Sequence, residues 1–338
     1  MFRSALSALQ TSARRNLIAE VRFWLLAALT GLVAGLAVVI LRLAIQELEH
    51  IAFGASDERV TTAAQMLEWG RLLLAPVTGG CIVAGLLWIG PRLGLDPDGR
   101  GGGVMDVIVA RRNLSVGRTR EDTIKSARLT LRQGGYSALL ATVSLGSGAS
   151  AGREGPAVHL GAVIAAQIVR VLKLSPHYAA TLLACGAAAA VSASFNAPLA
   201  GVLFAHEVIL RRYRLADTGP VAVASICAAL VCQAVFGASP VFARPALGDI
   251  PLSYLLAVPV FGLIAAGVAV AAVKAWTEAP RYGAAFADEL NIPLWMLPPL
   301  GGLLLGLFAV AFPQVLGVGY EATAAALAGS YGWAFLIV

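Results

Sequence analysis

The feature that most constrains this chain is a succession of apolar runs too long and too poorly charged to face water. Between Phe23 and Ile45 only Thr30 and Arg42 interrupt an apolar stretch, about the 20 residues a helix needs to cross a hydrocarbon core. Further runs cover about 72–90, 129–146, 157–172, 179–194, 197–210, 220–237, 252–276 and 294–312, with a shorter one at 320–328 and one at 333–338. Charged residues make up 13% of the 338, against about 25% in soluble domains. A water-soluble enzyme, a disordered chain and a coiled coil are excluded. The expected fold is an all-α polytopic membrane bundle.

Several of these runs are shorter than a simple span and are broken by Gly and Pro. Such segments predict tilted, re-entrant or half-crossing helices, whose ends meet near the bilayer midplane in transporters. Gly31 and Gly35 carry the spacing of a close helix contact. The cysteines Cys81, Cys185, Cys227 and Cys232 all lie inside apolar runs without paired spacing, so neither a metal site nor a disulfide framework is expected. No cofactor is implied.

Basic residues flanking membrane segments stay cytoplasmic. Arg3, Arg14 and Arg15 therefore place the N-terminal arm, residues 1–18, inside. The loop with Glu47, Glu49, Asp57, Glu58 and Glu68 then lies outside, and the loop with Arg92, Arg111, Arg112, Arg118 and Arg120 lies inside. Arg170 with Lys173, and Arg211, Arg212 and Arg214, mark two more cytoplasmic exits. The runs 179–194 and 197–210 between them must leave and return as a hairpin. The +6 net charge thus speaks of orientation and gives a nucleic-acid partner little to rest on. The localisation expected is a bacterial-type inner or plasma membrane.

A weak internal echo pairs Gly99–Ala110 with Gly317–Ala328. Each is a Gly-rich turn opening a short apolar helix, as in inverted repeats. The organisation expected is a first repeat over 19–237 and a partial second over 238–338, truncated inside a membrane helix.

The sharpest motif is GASAGREGP at 148–156, followed at once by an apolar run. Proline suits the first helical turn, and the amides of Arg153, Glu154 and Gly155 lack intrahelical acceptors, so they point forward with the positive end of the helix dipole. That geometry suits an anion, and Glu154 can occupy the same place when no external anion is there. The bland alternative is an Arg153–Glu154 surface pair at a membrane interface. An ionisable group between apolar helices is costly unless it faces a cavity, which favours a gate.

With this motif the chain resembles the CLC family of chloride channels and chloride/proton antiporters, for which GxxxGREGP is the second signature. The likeness includes Gly186–Ala190, Ser194–Gly201 and Phe204–Glu207 and covers most of the chain from about residue 20. The resemblance implies a CLC-type bundle and a voltage- or pH-gated path for chloride or similar anions. Glu154 would be its external gating glutamate, competing with chloride and accepting a proton. It also implies a homodimer with one pore per subunit.

Three departures stand out. The family's first signature supplies a serine hydroxyl to the central ion, where this chain has Gly99-Arg100-Gly101-Gly102-Gly103. Arg100 either brings a full positive charge to the anion path or only caps the cytoplasmic mouth. After Glu207, where antiporters of the family typically carry a second glutamate, stands Val208, which cannot carry protons. This argues for chloride movement without proton coupling. His206 beside it either titrates as another proton route or is hydrogen-bonded within the bundle, and Glu207 reads as structural. Finally, the family's GxFxP loop and ion-coordinating tyrosine have no counterpart up to residue 338. His159 reads as a packing residue rather than a path lining, and Asp106, beside Met105, as suiting a helix N-terminus. An intramembrane enzyme using Glu154 with His159 or His206 is the rival class. It lacks a nucleophile or metal-ligand motif. A non-transporting fragment is the third.

Overall fold

The computed structural model describes residues 2–55, 59–95, 102–116, 119, 121–122, 129–238 and 253–332. The described chain is helical, with no strand. Helix α1 runs over Phe2–Phe53, α2 over Val60–Ala64, α3 over Trp69–Ile89 and α4 over Val104–Ser115. Helices α5 (Leu131–Gly146), α6 (Glu154–Val171) and α7 (Pro176–Phe195) follow, then α8 (Pro198–Phe204), which passes into a π-helical turn at Ala205–Leu210. After α9 (Leu215–Phe236) come α10 (Ser253–Glu289), α11 (Leu297–Ala311) and α12 (Tyr320–Leu327). Among the described residues, six helices are long and apolar enough to cross a membrane: α1 (from Ala19), α3, α7, α9, α10 (from Leu255) and α11 (from Leu294, through a short 3-10 turn). The chain is a multi-pass integral membrane protein.

Lipid tails are as apolar as leucine, so helices associate in a bilayer through close packing of small residues rather than by expelling water. The sequence supplies those residues where the helices cross. Side chains at Gly31 and Gly35 of α1 would collide with the backbone of Ala224 and press on that of Ala228 of α9, so the spacing read from the sequence is a contact surface. Gly161 of α6 and Gly186 of α7 face each other's carbonyls in the same way. Around them lies a continuous core from α1 and α4 through α9, in which Ala184, Ala187, Ala188, Ala189 and Ala190 are wholly buried.

Local signals explain the breaks between elements. Thr130 caps α5, accepting from the Gln133 amide at 3.4 Å, and Asn196 ends α7 in the left-handed region at φ 53°, where asparagine is tolerated. Pro198 then opens α8, giving the hairpin-like return expected between residues 179 and 210. Two elements exceed the expected limits. Helix α1 continues back through the N-terminal arm to Phe2, and α10 passes the run's expected end at residue 276 to reach Glu289 in spite of Pro280. The apolar run at 333–338 and the loop residues Asp57, Glu58, Arg118 and Arg120 lie outside the described residues.

Candidate anion site at the start of helix α6

The 148–156 motif forms a loop that turns directly into α6. Gly148, at φ +97°, begins it, wedged so that a side chain there would press on Phe53 of α1 and on Leu316. Arg153 is the residue before the helix, and its carbonyl accepts the Ala157 amide at 3.1 Å. The amides of Glu154 and Gly155 thus sit in the first turn, ahead of any intrahelical acceptor. Glu154 is half-buried. Its carboxylate folds back over the preceding loop, with Oε2 in the place a Gly152 side chain would need, and its Oε1 accepts the Tyr320 hydroxyl at 3.0 Å. Arg153 is buried, with 4% of its surface exposed, and its guanidinium lies 5.0 Å from the centre of the Tyr320 ring. A simple surface ion pair at an interface does not describe this pair.

The second Gly-rich turn therefore arrives at the motif loop. The Gly317 amide donates to the Gly148 carbonyl at 3.1 Å, and Gly317 and Gly319 both take positive φ, 73° and 80°. Sequence reasoning singled out this turn but not Tyr320. The only signal was the tyrosine's place directly after Gly-Val-Gly, and nothing local tells what its hydroxyl will meet 166 positions away.

The first Gly-rich turn reaches α6 one turn further on. Gly99, Arg100 and Gly101 lie outside the described residues. Gly102 packs where a side chain would collide with the His159 ring, its amide donates to Ser137 Oγ of α5 at 3.0 Å, and Asp106 Oδ2 accepts the Gly103 amide at 3.1 Å. His159 is buried, its Nε2 3.7 Å from Asp106 Oδ2. Ser137, a hydroxyl at the turn that lacks the expected serine, was not foreseen, because it comes from another helix.

At the other end of the bundle, His206 lies in the π-helical turn, 1% exposed. Its Nδ1 is 2.9 Å from the Arg212 carbonyl and its Nε2 is 3.1 Å from Thr218 Oγ1. A carbonyl can only accept, so Nδ1 carries a proton. The ring stacks on Tyr213, whose hydroxyl donates to Glu207 Oε1 at 3.0 Å. Val208 is half-buried and packs against the main core. Arg212 meets Asp217 at 3.1 Å, and Thr181 donates to the other Asp217 oxygen at 2.8 Å. The Arg111 guanidinium, at the end of α4, has a pKa lowered from its ordinary value, first by burial and then by Arg212 and Arg211. This marks a crowded positive edge.

The fold and the motif loop together define a helical membrane protein with a polar loop entering the bundle at a helix N-terminus, and the comparisons narrow that class. The family model for voltage gated chloride channels matches residues 96–338. A putative chloride channel protein, ClcB-like, from Ralstonia nicotianae is 32% identical over 91% of this chain and 68% of its own length. Chloride channel protein CLC-e of Arabidopsis thaliana is 28% identical over 87% of this chain, and the chain spans 40% of that protein. A crystal structure of a slow cyanobacterial Cl−/H+ antiporter shares the fold, with a TM-score of 0.72 at 20% identity, covering 94% of this chain and 70% of that one. The chain belongs to the voltage-gated chloride channel (CLC) family.

Proposed function

We propose that the chain moves chloride or a similar anion across a membrane through a site at the N-terminus of α6, with Glu154 as the gate. The observation that carries this reading is the placement of the Glu154 carboxylate. It is folded back over the first-turn end of its own helix, beside Gly152, where the dipole and the first-turn amides favour negative charge. An external anion drawn to those amides competes with it. Arg153, Glu154 and Gly155 form this site, and the turn at Gly99, Arg100, Gly101, Gly102 and Gly103 forms the inner approach.

Transport is not coupled to protons in this reading. Val208 offers no titratable group, and both His206 nitrogens are engaged in local hydrogen bonds. In this reading the N-terminus lies on the cytoplasmic side of a bacterial-type inner or plasma membrane. The repeat boundary falls near residue 238. Two copies pair, each with its own path; the exposed Leu199, Leu203, Ile226 and Leu230 on α8 and α9 offer an apolar face for that pairing. The antiporter reading is the alternative, favoured by the fold shared with a Cl−/H+ antiporter.

Chloride efflux from liposomes holding the purified chain, followed with a pH probe and repeated with Glu154→Gln, tests the proposal. Chloride efflux without proton movement, whose pH dependence disappears in Glu154→Gln, is the expected result. Proton movement in step with chloride turns the assignment to the antiporter. Flux and pH dependence untouched by Glu154→Gln remove Glu154 from the gate.

A further inference from the structure

We propose that Tyr320 is a positioning residue for the gate, a hydroxyl latch that holds the Glu154 carboxylate in its folded-back place. The inference rests on the reading of Glu154 as the gate and adds what fixes its closed position. A glutamate side chain has three rotatable bonds and loses their freedom when held in one place. Something must offset that loss at a half-buried site, and the hydroxyl at 3.0 Å from Oε1 does so through a hydrogen bond to a charged acceptor.

The latch is itself held from three sides. Arg153, next to the gate in sequence, lies over the Tyr320 ring with its guanidinium 5.0 Å from the ring centre, an attractive cation–π placement. The turn before Tyr320 is tied to the motif loop by the Gly317–Gly148 hydrogen bond. The next residue, Glu321, accepts the amides of Thr61 at 2.8 Å and Thr62 at 3.1 Å, and also the Thr62 hydroxyl. Successive residues of α12 therefore grip the gate and the short helix α2. A phenol anchored this firmly fixes a carboxylate, whereas a phenylalanine in its place keeps the packing and gives up the grip.

The test reads chloride binding rather than flux. Isothermal titration of the full purified chain with chloride is run on the wild type, Glu154→Ala, Tyr320→Phe, the double variant and Gly152→Ala. If the carboxylate competes with chloride, Glu154→Ala binds tighter than wild type. Loss of a charge-assisted hydrogen bond at a half-exposed site then makes Tyr320→Phe bind about three- to tenfold tighter. Gly152→Ala, whose new methyl collides with Oε2 without touching the tyrosine, moves binding the same way, and should Tyr320→Phe fail to fold, Tyr320→Trp, which also removes the hydroxyl, is read against it. In the Glu154→Ala background, Tyr320→Phe changes affinity by less than about twofold. The latch is overturned if Tyr320→Phe matches wild type while Glu154→Ala is tighter, whatever Gly152→Ala does, or if Tyr320→Phe shifts binding equally in both backgrounds. Should Glu154→Ala bind no tighter than wild type, the gate reading itself fails and the latch with it.

Discussion

Helices α7 and α10 are both apolar and both long enough to span a bilayer, yet 83% of the most apolar window of α7 is buried in the protein and none of that of α10 is. Mean hydropathy runs the opposite way, 1.5 for α7 and 2.5 for α10, so greater apolarity does not account for the burial. What does is side-chain size at the crossing points. Helix α7 carries Cys185-Gly186 and four consecutive alanines, so neighbouring backbones come into contact with it on several sides. Helix α10 displays Leu256, Phe261, Leu263 and Trp276, each more than two-thirds exposed. In hydrocarbon, where apolar burial contributes little, only the first kind of surface defines a unique neighbour. The candidate site draws on the close-packed kind of region: its loop opens α6, and Tyr320 and Glu321 follow α11, whose Gly302 and Gly306 abut the backbone of α3.

Glycine substitutions are the harshest way to break the comparison. Gly186→Val drives a side chain into the Gly161 carbonyl and the Ala165 methyl. Overpacking costs about 1–3 kcal/mol and more when the obstacle is backbone, so loss of the folded, monodisperse species in a detergent thermal-unfolding assay is expected. Gly267→Val on α10 meets nothing within 4 Å and is expected to leave the melting curve unchanged. An equal loss from both substitutions would dissolve the distinction.

A pair of ion pairs sharpens it. Arg212–Asp217 at 3.1 Å and Arg281–Glu278 at 2.8 Å look alike by distance. Asp217 is 1% exposed and Thr181 also donates to it, whereas both partners of the α10 pair are open to the surroundings. Asp217→Ala is expected to destabilise by about 2 kcal/mol, since it strands a partly buried guanidinium and a hydroxyl. Glu278→Gln should cost no more than about 0.5 kcal/mol. Thermal unfolding of the two variants against wild type measures both.

The smallest effect belongs to the positive edge of the packed half. Arg211 and Arg212 crowd Arg111, so Arg211→Gln should raise the melting temperature by about 1 °C at low ionic strength, a gain of a few tenths of a kcal/mol. In about 1 M salt, where charges are screened within roughly 3 Å, the gain should vanish. Melting curves at the two salt levels check the sign.

The bundle was legible in the sequence because a bilayer demands continuous apolar length, and runs such as Phe23–Ile45 meet that demand residue by residue. Gly31 and Gly35 were legible for the same reason, since their spacing alone aligns them on one face. The loop at Glu154 announced itself through charge set between apolar helices. Beyond that point the chain gave less away. Arg153 was open to a surface reading because the Tyr320 ring it lies over comes from the far end of the chain, and Ser137 meets the Gly102 turn from a separate helix, 35 positions away. Helix α10 outlasts the apolar run that ends at about residue 276 because charged side chains such as Glu278 and Arg281 on an exposed helical face do not interrupt its backbone.

The π-helical turn at Ala205–Leu210 has a bearing on how this chain tolerates changes of length. Such a turn is an α-helix with a single residue inserted, and here it ends at Arg211 in the left-handed region. Removing one residue from it restores ordinary helical winding locally. The same deletion within α7 would rotate every downstream alanine off its crossing. This short stretch, which holds His206, is thus where a deletion scan should find the bundle most forgiving.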